Sequence, residues 1–410
     1  MTFRRLSHDI PKIMELVPSI QMYAWGKRGD TSKVATLFKN IKPEFVIESH
    51  KNYAELWMGT HVNGPSLVKN SNKSLLSVIT GKPEYLGDNV RTKFGIDLPF
   101  LLKVLSIEQA LSIQVHPSKI HAERLHIEQP EHYKDANHKP ELAIALTPFE
   151  ALCGFRPYTE ISNFFQIIPE LQELIGDKLC QEFVKQKSES ILKECFCVLM
   201  KCSQDKIKKA FINIFQRFST LNQEDRDKQL VNLFERLNKQ YPDDIGCFVV
   251  YFLNFLQLKP LEAIYLGANL PHAYIFGDCI ECMACSDNVV RAGLTSKFKD
   301  VSTLCEMLDY RGEPASAKFF KPIVENEYTV TFKPPVPDFA IAMIQVPNEI
   351  KELSLLPRDS GSILLIVSGT AVCDNMKLFA GVSIFIPAKH ISKLQNVSNE
   401  FLAFQGMANV

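Results

Sequence analysis

Apolar and polar positions alternate in two separate parts of the chain, and this alternation predicts short β-strands. Runs such as PFLLKVLSI, LSIQVHP and ELAIALT lie between residues 17 and 156 and are separated by Gly, Pro and Asn. Similar runs return from Leu258, and from about Pro322 they include YTVTF, SILLIVSGTAV and SIFIPA. Short strands separated by such turn-forming residues are typical of jelly-roll barrels, so we predict a mainly β protein.

The segment between these two β-rich parts has a different periodicity. Between Tyr158 and Tyr241 it contains one proline and one glycine, and its apolar residues follow the spacing of amphipathic helices. This spacing is shared by Ile207, Ala210, Phe211, Ile214, Phe215, Phe218, Leu230, Leu233, Phe234 and Leu237. We therefore predict a structural helical insert at 157–257, a first barrel region at 1–156 and 258–320, and a C-terminal barrel at 321–410.

Side chains with metal-ligand chemistry occur on the predicted strands of the first barrel region. Gln114 and His116 are two residues apart and share one strand face, Glu141 begins the next apolar run, and His272 lies in the β-rich segment after the insert. An amide, two imidazoles and a carboxylate can hold a dication such as zinc. The alternative is a set of ordinary hydrogen-bonded polar residues, with the histidines from His116 to His138 in a solvated loop.

Further charged residues lie near these candidates in the sequence. Lys139, Arg291 and Lys297 add positive charge that suits a phosphorylated, oxygen-rich substrate. For Arg291 and Lys297 the alternative is an exposed loop. Glu281 lies on a predicted buried strand, where a carboxylate needs a partner.

Three cysteines form a C-x2-C-x2-C motif at Cys279, Cys282 and Cys285. This spacing occurs in iron-sulfur and zinc sites. If the segment is a strand, however, Cys282 points away from the other two, and one ion cannot bind all three. We therefore predict that the motif is not a metal-thiolate site.

The composition excludes several classes of partner. Among 410 residues, 46 basic and 46 acidic side chains give no net charge, and no long block of like charge indicates nucleic acid or an anionic membrane surface. The first 18 residues lack the apolar run of a secretory signal, and no apolar stretch approaches the roughly 20 residues of a membrane span. The eleven cysteines lie mostly in apolar runs, which favours reduced thiols and a cytoplasmic location.

Three long blocks carry a family resemblance: ALSIQVHPSK, YKDANHKPELAIALTPFEALCGFRP and GANLPHAYIFGDCIECMACSDNVVRAGLTSKFKDV. They resemble the signature blocks of the type I phosphomannose isomerases, also called mannose-6-phosphate isomerases. The resemblance implies a cupin fold with an inserted helical domain and one zinc ion per chain, and we expect a monomer. It also implies the reversible conversion of mannose 6-phosphate to fructose 6-phosphate, which supplies mannose phosphates for GDP-mannose and glycosylation.

The family's functional positions can be transferred to this chain residue by residue. The zinc ligands fall on Gln114, His116, Glu141 and His272, and the active-site arginine falls on Arg291. Lys139 and Glu281 are candidates for proton transfer, and the resemblance does not decide between them. The implied substrate contacts are Ser112, Lys103 and Lys297 for phosphate, and Tyr274 and Asp287 in the sugar pocket. Trp25 is a further candidate for substrate binding, with a buried core tryptophan as the alternative.

The chain departs from the family pattern at Met22, Ser118 and Leu270, where the family usually has Asn, Asp and Glu. None of these three is a candidate ligand. The departures motivate one alternative, a catalytically weak paralogue that binds sugar phosphates. A second alternative is an iron-dependent oxygen enzyme, because two histidines and a carboxylate also hold non-haem iron. The additional Gln114 and the nearby lysines and arginine speak against iron.

Overall fold

The computed structural model describes residues 13–71 and 73–410. The prediction that the first 18 residues are not a secretory signal therefore falls mostly on residues outside the described ones. Within the described part of the chain, no helix is long and apolar enough to cross a membrane.

The first part of the chain forms short strands, most of which join one large antiparallel sheet. They are β1 (Met14–Val17), β2 (Ser19–Gln21), β3 (Lys27–Arg28), β4 (Asn52–Tyr53), β5 (Glu55–Met58), β6 (Leu67–Val68), β7 (Phe100–Ile107), β8 (Ile113–Val115), β9 (Glu141–Ala145) and β10 (Phe149–Phe155).

Helices also occur here, which the strand pattern did not predict. They are α1 (Lys33–Ile41), α2 (Leu75–Gly81), α3 (Asp88–Phe94) and α4 (Lys119–Glu128). In α1, α2 and α4 a serine at the N-cap accepts a hydrogen bond from a backbone N–H three residues later, which satisfies one of the unpaired donors of the first turn. The alternative of a solvated histidine-rich loop is wrong for His121 and His126, because both lie on α4.

The middle of the chain is helical, as predicted. It contains α5 (Tyr158–Ile167), α6 (Pro169–Ile175), α7 (Asp177–Gln186), α8 (Glu189–Met200), α9 (Gln204–Phe218), α10 (Gln223–Lys228) and α11 (Val231–Gln240). The apolar stripe of α9 is buried and belongs to the same core cluster as Ile113 and Val115 of β8. The insert thus packs against the apolar face of the strand whose other face carries Gln114.

The chain then returns to the large sheet through β11 (Leu253–Leu258), β12 (Ala263–Leu266), β13 (His272–Ala284) and β14 (Val290–Gly293), followed by α12 (Val301–Met307). The long strand β13 pairs with β8 and β10 in its first half and with β7 and β9 in its second half. Gly277 lies between the two halves with φ +113°, and a Cβ there would lie 2.5 Å from the Pro148 carbonyl oxygen. The change of partners along β13 therefore requires glycine at this position.

The C-terminal region contains β15 (Ile323–Asn326), β16 (Thr329–Phe332), β17 (Ala340–Val346), β18 (Ile350–Ser354), β19 (Ser362–Ser368), β20 (Thr370–Cys373), β21 (Met376–Phe379), β22 (Ser383–Ile386), β23 (Lys393–Val397) and β24 (Phe401–Met407). These strands form an eight-stranded and a four-stranded sheet, and the larger one also includes β1 and β6. Met14 of β1 lies opposite Phe385 of β22, so the first strand of the chain completes the C-terminal sheet. This pairing crosses the predicted division at residues 1–156 and 321–410.

The predicted fold class, mainly β with a helical insert, is confirmed. The large sheet and the C-terminal region share a core in which Leu102 and Val104 of β7 pack with Leu365, Phe385 and Phe404. Alternate residues of β7 point to the opposite face of the sheet. That face carries the polar residues described next.

Candidate functional site

Strand register brings the candidate ligands to one end of the large sheet. β8 lies between β13 and β14, so Gln114 is directly opposite His272 on one side and Arg291 on the other. Glu141 is the first residue of β9 and lies opposite Met283 of β13. The predicted position of Glu141 at the start of a strand is therefore confirmed.

His116, Glu141 and His272 form a buried cluster with Gln114 at its edge. The distance from His116 Nε2 to Glu141 Oε1 is 3.3 Å, and that from His272 Nε2 to Glu141 Oε2 is 3.6 Å. Gln114 Nε2 lies 3.3 Å from His272 Nε2. Ligands held at roughly 2.0 to 2.1 Å by a tetrahedral ion are roughly 3.3 Å from one another. The cluster therefore has the dimensions of a metal site, with one ligand atom from each of the three residues within 4.8 Å of the others.

The second ring nitrogen of each histidine fixes the orientation of its imidazole. His116 Nδ1 is 2.8 Å from the Asn288 carbonyl oxygen, and His272 Nδ1 is 2.8 Å from the Leu270 carbonyl oxygen. Because a carbonyl oxygen can only accept, both Nδ1 atoms carry the hydrogen, and both Nε2 lone pairs face Glu141. Metal-binding histidines are commonly held in this way.

The protonation states also suit a cation. Burial lowers the pKa of His116 to about 4, although Glu141 opposes the shift. Burial alone raises the pKa of Glu141, but its interactions with His116 and Lys139 outweigh burial and hold the pKa well below its usual range. A neutral imidazole and a carboxylate are the forms that bind metals. Within the described chain, His116 Nε2 and Glu141 Oε2 have no hydrogen-bond partner, so the residues present fit a bound metal ion.

A cavity of about 510 Å³ opens beside this cluster. Gln114 and Glu141 form part of its wall, whereas His116 and His272 lie behind it. The structure brings every other sequence-predicted site residue to the same cavity. These are Trp25, Lys103, Ser112, Lys139, Tyr274, Glu281, Asp287, Arg291 and Lys297.

One wall of the cavity is a row of buried charges across three strands. Trp57 of β5, Lys103 of β7 and Glu281 of β13 lie opposite one another in register. The Lys103 ammonium is 3.1 Å from Glu281 and 3.3 Å from Glu55. Burial alone lowers the pKa of Lys103, but Glu55, Glu281 and Glu141 outweigh it and raise the pKa. Burial and the negative charge of Glu141 raise the pKa of Glu281 despite Lys103.

The other wall is more open and carries unpaired positive charge. Burial lowers the pKa of Arg291, and burial together with the charge of Arg291 lowers the pKa of Lys297. Neither side chain forms an ion pair among the described salt bridges, although the charge of Glu55 opposes the shift of the Lys297 pKa. At the rim Asp287 accepts a hydrogen bond from Asn63 at 3.1 Å and lies 3.5 Å from His61.

Several cavity residues were not among the predicted site residues. They include Tyr23, Glu55, Trp57, His61 and Tyr241. Glu55 and Trp57 share one face of β5, but only the pairing of β5 with β7 shows that this face belongs to the cavity. Tyr241 follows α11 of the helical insert and donates a hydrogen bond to the Ala110 carbonyl oxygen at 2.6 Å. The insert thus contributes a residue to the cavity, which its apolar periodicity alone could not indicate.

The three departures from the family pattern lie outside the cavity wall. Met22 is exposed, the Ser118 side chain is the N-cap of α4, and Leu270 contributes its backbone carbonyl to His272. The cysteine motif behaves as predicted from strand alternation, because Cys279 and Cys282 belong to different core clusters.

The fold and the site together define a sheet-rich protein with a metal-binding cluster at the wall of a charged cavity. Comparison with known proteins gives the family. The model of the phosphomannose isomerase type I catalytic domain matches residues 13–158, and that of the helical insertion domain of the same family matches residues 169–253. The chain belongs to the type I phosphomannose isomerase family and is an isomerase.

Individual relatives agree with this assignment over most of their length. The chain is 48% identical to a rat mannose-6-phosphate isomerase over 373 residues, which cover 88% of each chain. It is 47% identical to the human mannose-6-phosphate isomerase over 375 residues, which cover 88% of this chain and 89% of the human one.

Solved structures match the same architecture. The apo form of a mannose 6-phosphate isomerase from Salmonella typhimurium has a TM-score of 0.83 and 30% sequence identity, and the match covers 98% of this chain and all of that one. A mannose 6-phosphate isomerase bound with zinc and yttrium has a TM-score of 0.84 at the same identity and coverage.

Proposed function

We propose that this enzyme interconverts mannose 6-phosphate and fructose 6-phosphate with one zinc ion per chain, and so supplies mannose phosphates for GDP-mannose and glycosylation. The observation that carries the proposal is the buried cluster of His116, Glu141 and His272, with two unpartnered ligand atoms, at the wall of a charged cavity. The family assignment supplies the substrate class.

His116, Glu141, His272 and Gln114 are the residues that would hold the ion. Gln114 presents its amide nitrogen to His272, and a half-turn of the amide group exchanges this nitrogen for the oxygen. Zinc with N and O ligands supplies a Lewis acid that polarises a hydroxyl or carbonyl oxygen. Lys139 Nζ lies 3.4 Å from Glu141 Oε1, so it adds a second positive charge at the same end of the cavity.

The charges of the cavity suit a phosphate monoester. Among the lining residues four basic side chains balance four acidic ones: Lys103, Lys139, Arg291 and Lys297 against Glu55, Glu141, Glu281 and Asp287. A bound dication leaves an excess of about two positive charges. This excess matches a phosphate monoester, which carries about −1.5 to −2 at neutral pH.

The reaction moves a proton between neighbouring carbons. A base removes the proton from C2 of the open-chain aldose, an enediol forms across C1 and C2, and the proton returns to C1. Glu281 and Lys139 both line the cavity and both remain candidates for the base. The raised pKa of Glu281 brings a carboxylate closer to the operating pH that a general base needs.

Arg291 is our candidate for stabilising the negative charge of the enediolate. It lies directly across from Gln114 in the strand register, and its guanidinium is half-buried without a carboxylate partner among the described salt bridges. A positive donor held in place before the reaction stabilises developing charge more effectively than water does.

Ser112 and Lys297 are our candidates for phosphate contacts, and Trp25, Tyr274 and Asp287 are candidates for contacts to the sugar. The same role for Lys103 stays a prediction. Its ammonium is already paired with Glu55 and Glu281, which favours a role in fixing Glu281.

A cytoplasmic location and a monomeric state are parts of the same proposal. Support for the location comes from the cysteines, because all eleven are free and most are buried, as expected in a reducing compartment.

The test is turnover of mannose 6-phosphate coupled to metal analysis of the same preparation. We expect isomerisation with about one zinc per chain and loss of activity with a strong chelator. Binding of the sugar phosphate without turnover would favour the weak paralogue. Oxygen consumption with bound iron would favour the oxygen enzyme.

A further inference from the structure

A pair of cysteines outside the cavity meets at the contact between the helical insert and α12. Cys197 lies on α8 and is half-buried, whereas Cys305 lies on α12 and is buried. The thiol of Cys197 and the backbone carbonyl of Cys305 both contact the hydroxyl of Tyr310. Cys197 Sγ is 3.6 Å from this oxygen, and the hydroxyl donates a hydrogen bond to the Cys305 carbonyl oxygen at 2.9 Å.

The surroundings of Cys197 are those of a reactive thiol. Lys193 lies one turn before it on α8 and places its ammonium 5.8 Å from the centre of the Tyr310 ring. A hydrogen bond with Cys305 lowers the pKa of Cys197 to about 6, and Tyr310, Lys201 and Lys193 act in the same direction against burial. Thiols that are partly exposed and close to positive charge are the ones that oxidise readily.

The neighbouring cysteines lack this combination. Cys202 is also half-buried and lies just after α8, but burial raises its pKa. Among the described residues, its thiol hydrogen-bonds only to backbone carbonyl oxygens, those of Leu174 and Val198. Cys202 is therefore a matched control for Cys197.

We infer that Cys197 and Cys305 form a reversible, peroxide-sensitive disulfide that joins the helical insert to α12. In the first step the Cys197 thiolate attacks one oxygen of hydrogen peroxide and the O–O bond breaks, which gives a sulfenic acid and a hydroxide that takes up the proton lost by the thiol and becomes water. In the second step the Cys305 sulfur attacks the Cys197 sulfur, and the S–O bond breaks. A second water leaves with the Cys305 proton, so that two thiols and one hydrogen peroxide give one disulfide and two waters.

The position of α12 connects this pair to the cavity. Asp300 caps α12, its backbone N–H donates to the Arg291 carbonyl oxygen at 3.0 Å, and its side chain accepts a hydrogen bond from Tyr133 at 2.8 Å. A covalent bond that draws α12 toward α8 therefore pulls on the strand that carries Arg291. Because small displacements of a catalytic group can cost up to about 10²-fold in rate, we expect the oxidised enzyme to turn over more slowly, on the premise of the proposed function.

The experiment treats the full chain, first reduced and then freed of reductant, with hydrogen peroxide under native conditions. Remaining thiols are alkylated, and peptides are analysed without reduction. We expect a peptide cross-linked between Cys197 and Cys305 in the unmodified enzyme and in Cys202→Ser. We expect no such peptide in Cys197→Ser or Cys305→Ser, and its loss after treatment with dithiothreitol.

Two further readouts complete the test. The rate of alkylation should show a midpoint near pH 6 for Cys197 and a midpoint above that of an ordinary thiol for Cys202. Absence of the cross-linked peptide in the oxidised enzyme would overturn the inference, and this outcome is independent of any isomerase activity. If the cross-link forms completely while kcat/KM stays unchanged, the disulfide stands and its coupling to Arg291 is wrong.

Discussion

The large sheet and the C-terminal sheets are built from the same kind of antiparallel strands but bury different side chains. In the C-terminal region the interior is apolar, with residues such as Ile344, Leu364, Ile366 and Leu394. Among the described residues 321–410, the only charged side chain that is buried is Asp338, which is paired with His138. The large sheet instead buries charged residues at the cavity, including Lys103, Glu141 and Glu281.

This difference indicates which sheet carries the chemistry. Burying a charge destabilises the fold unless the charge is paired or binds a metal. An apolar interior therefore stabilises a sheet without this desolvation penalty. The buried charges of the large sheet form networks and leave two ligand atoms unpartnered. We therefore expect substitutions in the large sheet to affect activity and substitutions in the C-terminal sheets to affect stability.

The largest expected effect on activity is that of a ligand substitution. Replacing His116 by Ala removes one buried ligand and should lower kcat/KM by roughly 10³-fold, since a Lewis acid contributes several kcal/mol to stabilising charge in the transition state. The matched control is His390→Ala in the C-terminal region, where the imidazole contacts only Ser392 among the described hydrogen bonds. Kinetics and metal content are measured on both variants, and equal activity in the two would contradict the comparison.

Arg291→Ala should have the next largest effect. Loss of a well-placed donor to a developing oxyanion typically lowers kcat by about 10²-fold to 10³-fold, and an interaction made mainly in the transition state appears in kcat. Lysine should restore activity only partly, because it lacks the planar two-pronged donor. Metal content should stay unchanged. A raised KM with normal kcat in steady-state kinetics would make Arg291 a phosphate contact instead.

Leu364→Ala tests the other half of the comparison. This side chain is fully buried in the C-terminal core, and its truncation should lower the free energy of unfolding by about 2 to 5 kcal/mol. Below the unfolding transition kcat should be that of the unmodified enzyme. Urea unfolding and steady-state kinetics on one preparation check both points, and a large fall in kcat with normal stability would show that the two regions are not separable.

Protonation of His116 in the large sheet should make the free energy of unfolding depend on pH, which is a smaller effect. The pKa of His116 is about 4 in the folded chain and 6.5 without the fold, so the unfolded state binds more protons between these values. Stability of the metal-free protein should therefore fall as pH drops through this window, by about 2 to 3 kcal/mol between pH 7 and pH 4.5. Urea unfolding at the two pH values should show this loss reduced in His116→Gln. If His116→Gln loses as much stability as the unmodified protein between the two pH values, other groups cause the loss.

Cys282→Ala should have the smallest effect. Cys282 is buried in the core on the face away from the cavity, so its loss should cost about 1 kcal/mol of stability and leave zinc content unchanged. Metal analysis of the variant checks this, and a lower stoichiometry would show that the motif binds metal after all.

Sequence alone predicted the parts of this comparison that depend on local periodicity. Alternation placed Gln114 and His116 on one strand face and Glu141 at a strand start, and the 3.6-residue period predicted the insert. The position of His272 beside Gln114 depends on the pairing of β13 with β8, which is separated by more than 150 residues. Residue type and strand alternation made His272 a candidate ligand and the family resemblance placed it in the same set, but no local pattern shows that it lies opposite Gln114.

Other features escaped prediction because tertiary contacts decide them. The helix α4 lacks a continuous apolar face, and only Ala122 and Leu125 are buried on it. The sequence therefore has no amphipathic pattern that would predict this helix. Glu55 becomes a site residue because β5 pairs with β7, which places it near Lys103. β1 joins the C-terminal sheet from the opposite end of the chain, a pairing that no local pattern could indicate.

Metal reconstitution tests the central claim most directly. The purified enzyme is depleted with a strong chelator, dialysed and titrated with zinc while mannose 6-phosphate turnover and bound metal are measured on the same samples. We predict no significant turnover in the depleted enzyme and recovery in proportion to bound zinc, saturating at about one ion per chain. His116→Ala should show neither recovery nor full binding. Full activity in a preparation shown to be free of metal would contradict the proposed role of zinc.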